Sequence, residues 1–164
     1  MPEILGLPET VTLAETLPVA LLAKELPSDL WEEYGSKYII FGPGYKNEDK
    51  SMTNPYNILD GTKIWLTRRN EKKMFDGVDW MVNNILYKLN GKKPLAVFHA
   101  DCALRGKFSL SRILKDELIN HLQYPICKGE NIPWIGMYTG GEFAMLGGKS
   151  FLHLITSSLF VIYR

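Results

Sequence analysis

Between Asn70 and Gly91 the apolar residues Met74, Val78, Met81, Val82, Ile85, Leu86 and Leu89 recur at the spacing of one helical face. Asn70 suits the N-cap of that helix, and Asn90-Gly91 suits its end, where left-handed backbone is common. A second amphipathic pattern runs through Ile113, Leu114, Leu118, Ile119 and Leu122, with Ser109 or Ser111 as cap and a stop before Tyr124-Pro125.

Elsewhere the pattern shortens to strand periods. Tyr38-Ile39-Ile40-Phe41 is a brief run of aromatic and branched residues halted by Gly42-Pro43-Gly44, and the polar stretch Lys46 to Pro55 reads as loop. After a turn at Leu59-Asp60-Gly61-Thr62, the alternation in Lys63-Ile64-Trp65-Leu66-Thr67 predicts a half-buried strand. Pro94-Leu95-Ala96-Val97-Phe98 is continuously apolar, as central strands buried on both faces are. Ile132 to Tyr138 predicts a further strand that enters a bend at Thr139-Gly140-Gly141-Glu142, and a turn follows at Gly147-Gly148. Phe151 to Tyr163 predicts the last strand, since His153, Thr156, Ser157 and Ser158 interrupt it and it is shorter than the roughly 20 residues of a membrane span.

This order implies an α/β (α+β) fold with a mixed β-sheet, helices packed against it and the final two strands antiparallel. Residues 1–35 carry Pro2, Pro8, Pro18 and Pro27 and read as a lead-in, with a short helix from Ser28, its cap, to Glu33. Residues 36–164 read as one compact domain.

Composition narrows the function. The chain has 164 residues, 46% hydrophobic and 23% charged, and its 19 basic against 18 acidic side chains leave net charge +1. No global field exists to recruit nucleic acid or anionic membrane, so neither is an expected partner. The opening Met1-Pro2-Glu3-Ile4 lacks a basic segment, and Val19 to Ala23 is too short for a signal-peptide core. The two cysteines, Cys102 and Cys127, cannot build a disulfide framework and suit a reducing compartment, so a cytoplasmic location is expected.

Three clusters in fixed order carry a resemblance: Val97-Phe98-His99-Ala100-Asp101-Cys102-Ala103-Leu104-Arg105-Gly106, then Gly136-Met137-Tyr138-Thr139-Gly140-Gly141-Glu142, then Leu152-His153-Leu154-Ile155-Thr156. With the turn, strand and helix from Asp60 onward, they resemble the C-terminal FIST domain of signal-transduction proteins over roughly residues 36–164. The resemblance implies a sensory module, with amino acids the proposed ligand class. It also implies an N-terminal FIST half or another signalling protein, such as a kinase, chemotaxis transducer or F-box segment, as partner. The family's usual Asn after the final-strand His is Leu154 here.

The clusters stand at predicted strand ends, where functional groups of α/β sheets concentrate. Cys102, Arg105, Tyr138, Thr139, Glu142 and His153 are therefore the candidate ligand-binding residues. Arg105 offers a fork of donors for a carboxylate, and Glu142, after two glycines, a carboxylate for an amine. Each has a plainer reading: Arg105 in a structural salt bridge to Glu142, Glu142 itself structural, His153 a core histidine, Cys102 a small buried hydrophobe, and Tyr138, with Trp134 and Trp65, packing aromatics.

Three functions compete. A non-catalytic ligand sensor needs Arg105 and Glu142 to hold the two ends of a zwitterion. A cysteine-dependent hydrolase or amidotransferase needs Cys102 and His153 within hydrogen-bond reach and an oxyanion hole. A scaffold without small ligand would dock its proline-rich segment on a partner or a second copy as a homo-oligomer. The sensor leads, as a non-enzyme. No cofactor or metal is expected, because paired zinc-ligand spacings are missing around His99, Cys102 and His153. Gly148-Lys149-Ser150 is no phosphate loop, since Phe143 stands in place of its first glycine and a strand follows.

Overall fold

The computed structural model describes residues 20–42, 45–53, 58–105 and 117–164. Within the lead-in, Ala20–Glu25 forms strand β1, which pairs antiparallel with β2 (Tyr38–Phe41) on one side. On the other side it pairs antiparallel with β5 (Ile64–Arg68), so β1 is the middle strand of this sheet. Its Ala-Leu-Leu-Ala core has no β-branched or aromatic residue to announce a strand, and the long-range pairing decides its conformation. Between β1 and β2 a 3-10 turn, Ser28–Leu30, leads into helix α1, Trp31–Tyr34. Its N-cap position is taken by Pro27, and Ser28 makes no capping hydrogen bond.

The segment expected as loop contains a small hairpin, β3 (Tyr45–Lys46) with β4 (Met52–Thr53). Asn47 Nδ2 reaches the Ser51 and Thr53 hydroxyls at 2.9 and 3.0 Å, so polar side chains rather than an apolar pattern tie it.

Helix α2, Glu71–Leu89, forms where the pattern predicts it. Asn70 caps it by accepting the Lys73 backbone N–H at 3.0 Å, and Asn90 ends it in the left-handed region at φ 47°. Its stripe buries Val78, Val82 and Leu89.

Strand β6, Pro94–Cys102, runs parallel to β7, Trp134–Thr139. β10, Ser157–Tyr163, lies antiparallel on the other side of β6, which makes this second sheet mixed. The main core forms between this sheet and the helices, from Val78, Val82, Val97, Leu122 and Ile126. Each such side chain removed from water contributes about 1.5–3 kcal/mol. β6 is buried on one face rather than both, because helices cover one side: Val97 is 1% exposed while Phe98 is 44%.

The second helical region is a π-helix, Glu117–Gln123, that passes into α3, Tyr124–Cys127. It does not stop before Pro125, which sits in the first turn of α3 where the π-helix gives way to an α-helical turn. Ser109 and Ser111, the expected caps, lie outside the described residues.

The predicted last strand is two strands. β8 (Glu142–Leu146) and β9 (Lys149–His153) make a hairpin across Gly147-Gly148, and β10 begins only after a break at residues 154–156. Ile155 takes φ 58° there, a left-handed kink that a branched residue adopts only under tertiary constraint.

The hairpin joins the two sheets. Leu146 packs with Leu26 and Ile39 of the first unit, flanked by Leu30, Trp31, Tyr34 and Phe151. Gly147 has φ +59° and lies so close to Leu30 that a Cβ would come within 2.6 Å of its Cδ2. The Gly147 N–H also donates to Glu33 Oε2 at 2.8 Å, so α1 holds the hairpin tip by both packing and a charged acceptor.

Candidate functional site

The parallel pair β6–β7 brings its C-terminal ends together, with Cys102 opposite Thr139 and Asp101 opposite Tyr138. Two residues beyond β7, the Gly140-Gly141 bend returns the chain into β8, so Glu142 comes back onto Thr139. The Thr139 hydroxyl donates to Glu142 Oε1, and Thr156 Oγ1 donates to Oε2 at 2.8 Å. Thr139 Oγ1 also lies 3.4 Å from the Asp101 carbonyl, but a hydroxyl has one proton and the nearer carboxylate takes it. Glu142 is 1% exposed, so these hydroxyls replace the water that a buried carboxylate loses.

His153 stands directly across the β8–β9 ladder from Glu142. Its ring stacks on Tyr34, with centroids 5.6 Å apart and planes at 15°. Burial pushes the imidazole pKa down, and a backbone hydrogen bond with Ala144 opposes part of that shift. His153 Nε2 is buried with no hydrogen-bond partner among the described residues. Burial, followed by the Glu142 charge, pushes the Tyr34 phenol up from 10.0 to about 12.

Arg105 is buried in the turn after β6, where its N–H donates to the Cys102 carbonyl at 2.9 Å. Its Nη1 meets Asp101 Oδ1 at 3.2 Å, so its salt bridge is to Asp101 and not to Glu142. The tight turn sets Asp101 within reach of Arg105, while the two threonines already occupy Glu142. Arg69, just after β5, donates from Nη2 to the Arg105 carbonyl at 2.5 Å and ties this turn to the first sheet.

Five of the six sequence candidates thus fall into two linked groups. Thr139, Glu142 and His153 share one cluster with Thr156 and Tyr34; Arg105 and Cys102 share the adjoining turn with Asp101. The Cys102 N–H donates to the Thr156 carbonyl at 3.0 Å, which connects the two. The sixth, Tyr138, is 47% exposed and stands opposite Asp101 in the β6–β7 ladder. Cys102 is 1% exposed, and among the described residues no hydrogen bond joins it to His153. That is the opposite of the accessible, base-activated thiolate that nucleophilic catalysis requires.

Sequence reasoning passed over Asp101, Thr156 and Tyr34. Asp101 had a signal, an acidic residue in an otherwise apolar strand with an arginine four positions on. Tyr34 had none, because it belongs to the lead-in and reaches His153 only through the packing of α1 on the hairpin.

A cleft of about 240 Å³ lies away from this cluster, lined in part by Ile119, Tyr124, Cys127, Ile132 and Trp134. It is shallow and lacks the buried charges of the cluster, so chemistry favours the latter as the site. Among the described residues no group of three or more His, Cys, Asp or Glu is placed to hold a metal ion. No helix of the described residues is long and apolar enough to cross a membrane.

A family model described as the FIST C domain matches residues 3–145. The match spans Tyr34, Arg69, Asp101, Cys102, Arg105, Tyr138, Thr139 and Glu142, and ends before His153 and Thr156. No curated protein and no solved structure matches the chain.

Proposed function

Because the chain belongs to the FIST C domain family, a sensory domain of signal transduction, we propose that it is a non-catalytic module that binds a small ligand. The ligand class is amino acids, the location cytoplasmic, and the output passes to an N-terminal FIST half or another signalling protein. The observation that carries this reading is the burial of Glu142 and of the Asp101–Arg105 pair at the adjoining C-terminal ends of β6 and β7.

Charges buried in internal pairs are held by a small margin, since desolvation offsets most of their attraction. A zwitterion entering past Tyr138 would exchange one set of partners for another, its ammonium taking Glu142 and its carboxylate taking Arg105. Such an exchange has the differential affinity that a sensor needs, because it favours the arrangement in which hairpin and turn have moved apart. Cys102, Thr139 and His153, which adjoin Arg105 and Glu142, complete the proposed site.

Thermal unfolding with each free amino acid tests the reading. A ligand at a hundred times its Kd adds about 2.7 kcal/mol, or a rise of roughly 5–10 °C for a chain of this size. The rise is expected for wild type and lost in Glu142→Gln. No response to any amino acid, or one that Glu142→Gln keeps in full, would overturn it.

A further inference from the structure

The sheet of β10, β6 and β7 has two unlike faces. Val97, Trp134, Leu159 and Val161 belong to the core under α2 and the π-helix. On the opposite face the registers place Ile135, Phe98 and Phe160 in one row across the three strands. Met137, Ala100 and Ser158 form the next row, and Ala96 stands beside Ile162 in the row before. The large members are open to solvent: Phe98 44%, Ile135 56%, Met137 63%, Phe160 66% and Ile162 40%. Isolated exposed apolar residues are ordinary, but contiguous rows of them mark an interaction surface.

The shape of the face selects its occupant. Along the central strand Phe98 stands between Ala96 and Ala100, so a knob is flanked by two hollows, with larger side chains from β7 and β10 beside them. A row that alternates in this way complements itself about a two-fold axis that passes between Phe98 and one of its alanine neighbours, so that each Phe98 settles over an alanine of the other copy. No residue of these rows is charged, so a second copy meets neither like-charge repulsion nor the cost of burying an unpaired ion.

We infer that this face is where two copies of the chain pack sheet against sheet, about 10 Å apart, in an isologous dimer. Five side chains with these exposures present on the order of 500 Å², the size of the largest patches on ordinary monomers. That is below the roughly 800 Å² per partner of a standard interface, so the dimer is a weak one.

Sedimentation velocity on the full chain, from about 1 to about 200 µM, reads the association directly. Wild type is expected to shift from monomer to dimer as concentration rises. Phe160→Lys and Met137→Lys, at side chains already exposed in the monomer, are expected to lose the dimer, while Tyr87→Lys on α2 keeps it. A wild type that stays monomeric throughout, or a dimer that survives both lysine variants, overturns the inference. Should either lysine variant fail to fold, hydroxyl-radical footprinting of wild type decides. Labelling of Met137 and Phe160 is expected to fall with concentration while Tyr87 stays labelled, and unchanged labelling overturns the inference.

Discussion

Thr156 Oγ1 donates a hydrogen bond to Glu142 Oε2 at 2.8 Å, across the kink at Ile155 that separates β9 from β10. The hydroxyl thereby links the strand that enters the second sheet to the hairpin that contacts the first. Thr156→Val keeps the shape and removes the donor, leaving a buried acceptor short of a partner. Loss of about 1–3 kcal/mol in urea unfolding is expected, with a matching loss for Thr139→Val. Because both hydroxyls serve one carboxylate, the double variant is expected to cost less than the sum of the two single variants.

His153 makes stability depend on pH. Its folded-state pKa lies below the ordinary value of 6.5, so the unfolded chain binds the proton first as pH falls. Stability is therefore at its plateau above about 6.5 and declines as pH drops from there to the folded-state pKa. His153→Phe keeps a ring against Tyr34 and removes the titration, so its stability is expected to lose that part of the slope. Equal slopes in wild type and variant, measured by denaturant unfolding between pH 7 and 5, would contradict the assignment.

Tyr34 acts at the other end of the scale. With its phenol at about 12 against 10.0 in the unfolded chain, the folded state holds the proton longer, and stability declines as pH rises from 10 towards 12. In absorbance titration of the phenolate, one late-ionising tyrosine is expected to vanish in Tyr34→Phe. Glu142→Gln, which removes the neighbouring charge, is expected to bring that late ionisation down.

Gly147→Ala tests the clasp between α1 and the hairpin. The substitution meets both a left-handed φ of +59° and Leu30 Cδ2 at 2.6 Å. Gly61, at φ +82° with nothing within 4 Å, supplies the backbone strain without the clash. Gly61→Ala is expected to cost about 1 kcal/mol, and Gly147→Ala clearly more, with the excess reduced in a Leu30→Ala background.

What the sequence made legible follows from which forces are local. Helix α2 declares itself because its stripe, its Asn70 cap and its Asn90-Gly91 end all act within the segment. Glu142 could be singled out because the preceding glycines mark a sharp return of the chain. The partners of Arg105 and Glu142 were not legible, since a turn geometry gives the arginine to Asp101 and a kink at Ile155 delivers Thr156. β1 stayed hidden for the same reason: its alanines and leucines become a strand only between β2 and β5. The split of the last strand turned on a positive φ at an isoleucine, which local preference opposes.

The most direct test of the sensory account is calorimetric titration of the free amino acids into wild type and Glu142→Gln, both checked for intact fold by circular dichroism. Saturable binding by wild type that Glu142→Gln weakens by at least about tenfold, near 1.4 kcal/mol, is the result the account predicts. Absence of heat for every amino acid, or equal affinity in the two proteins, would contradict it.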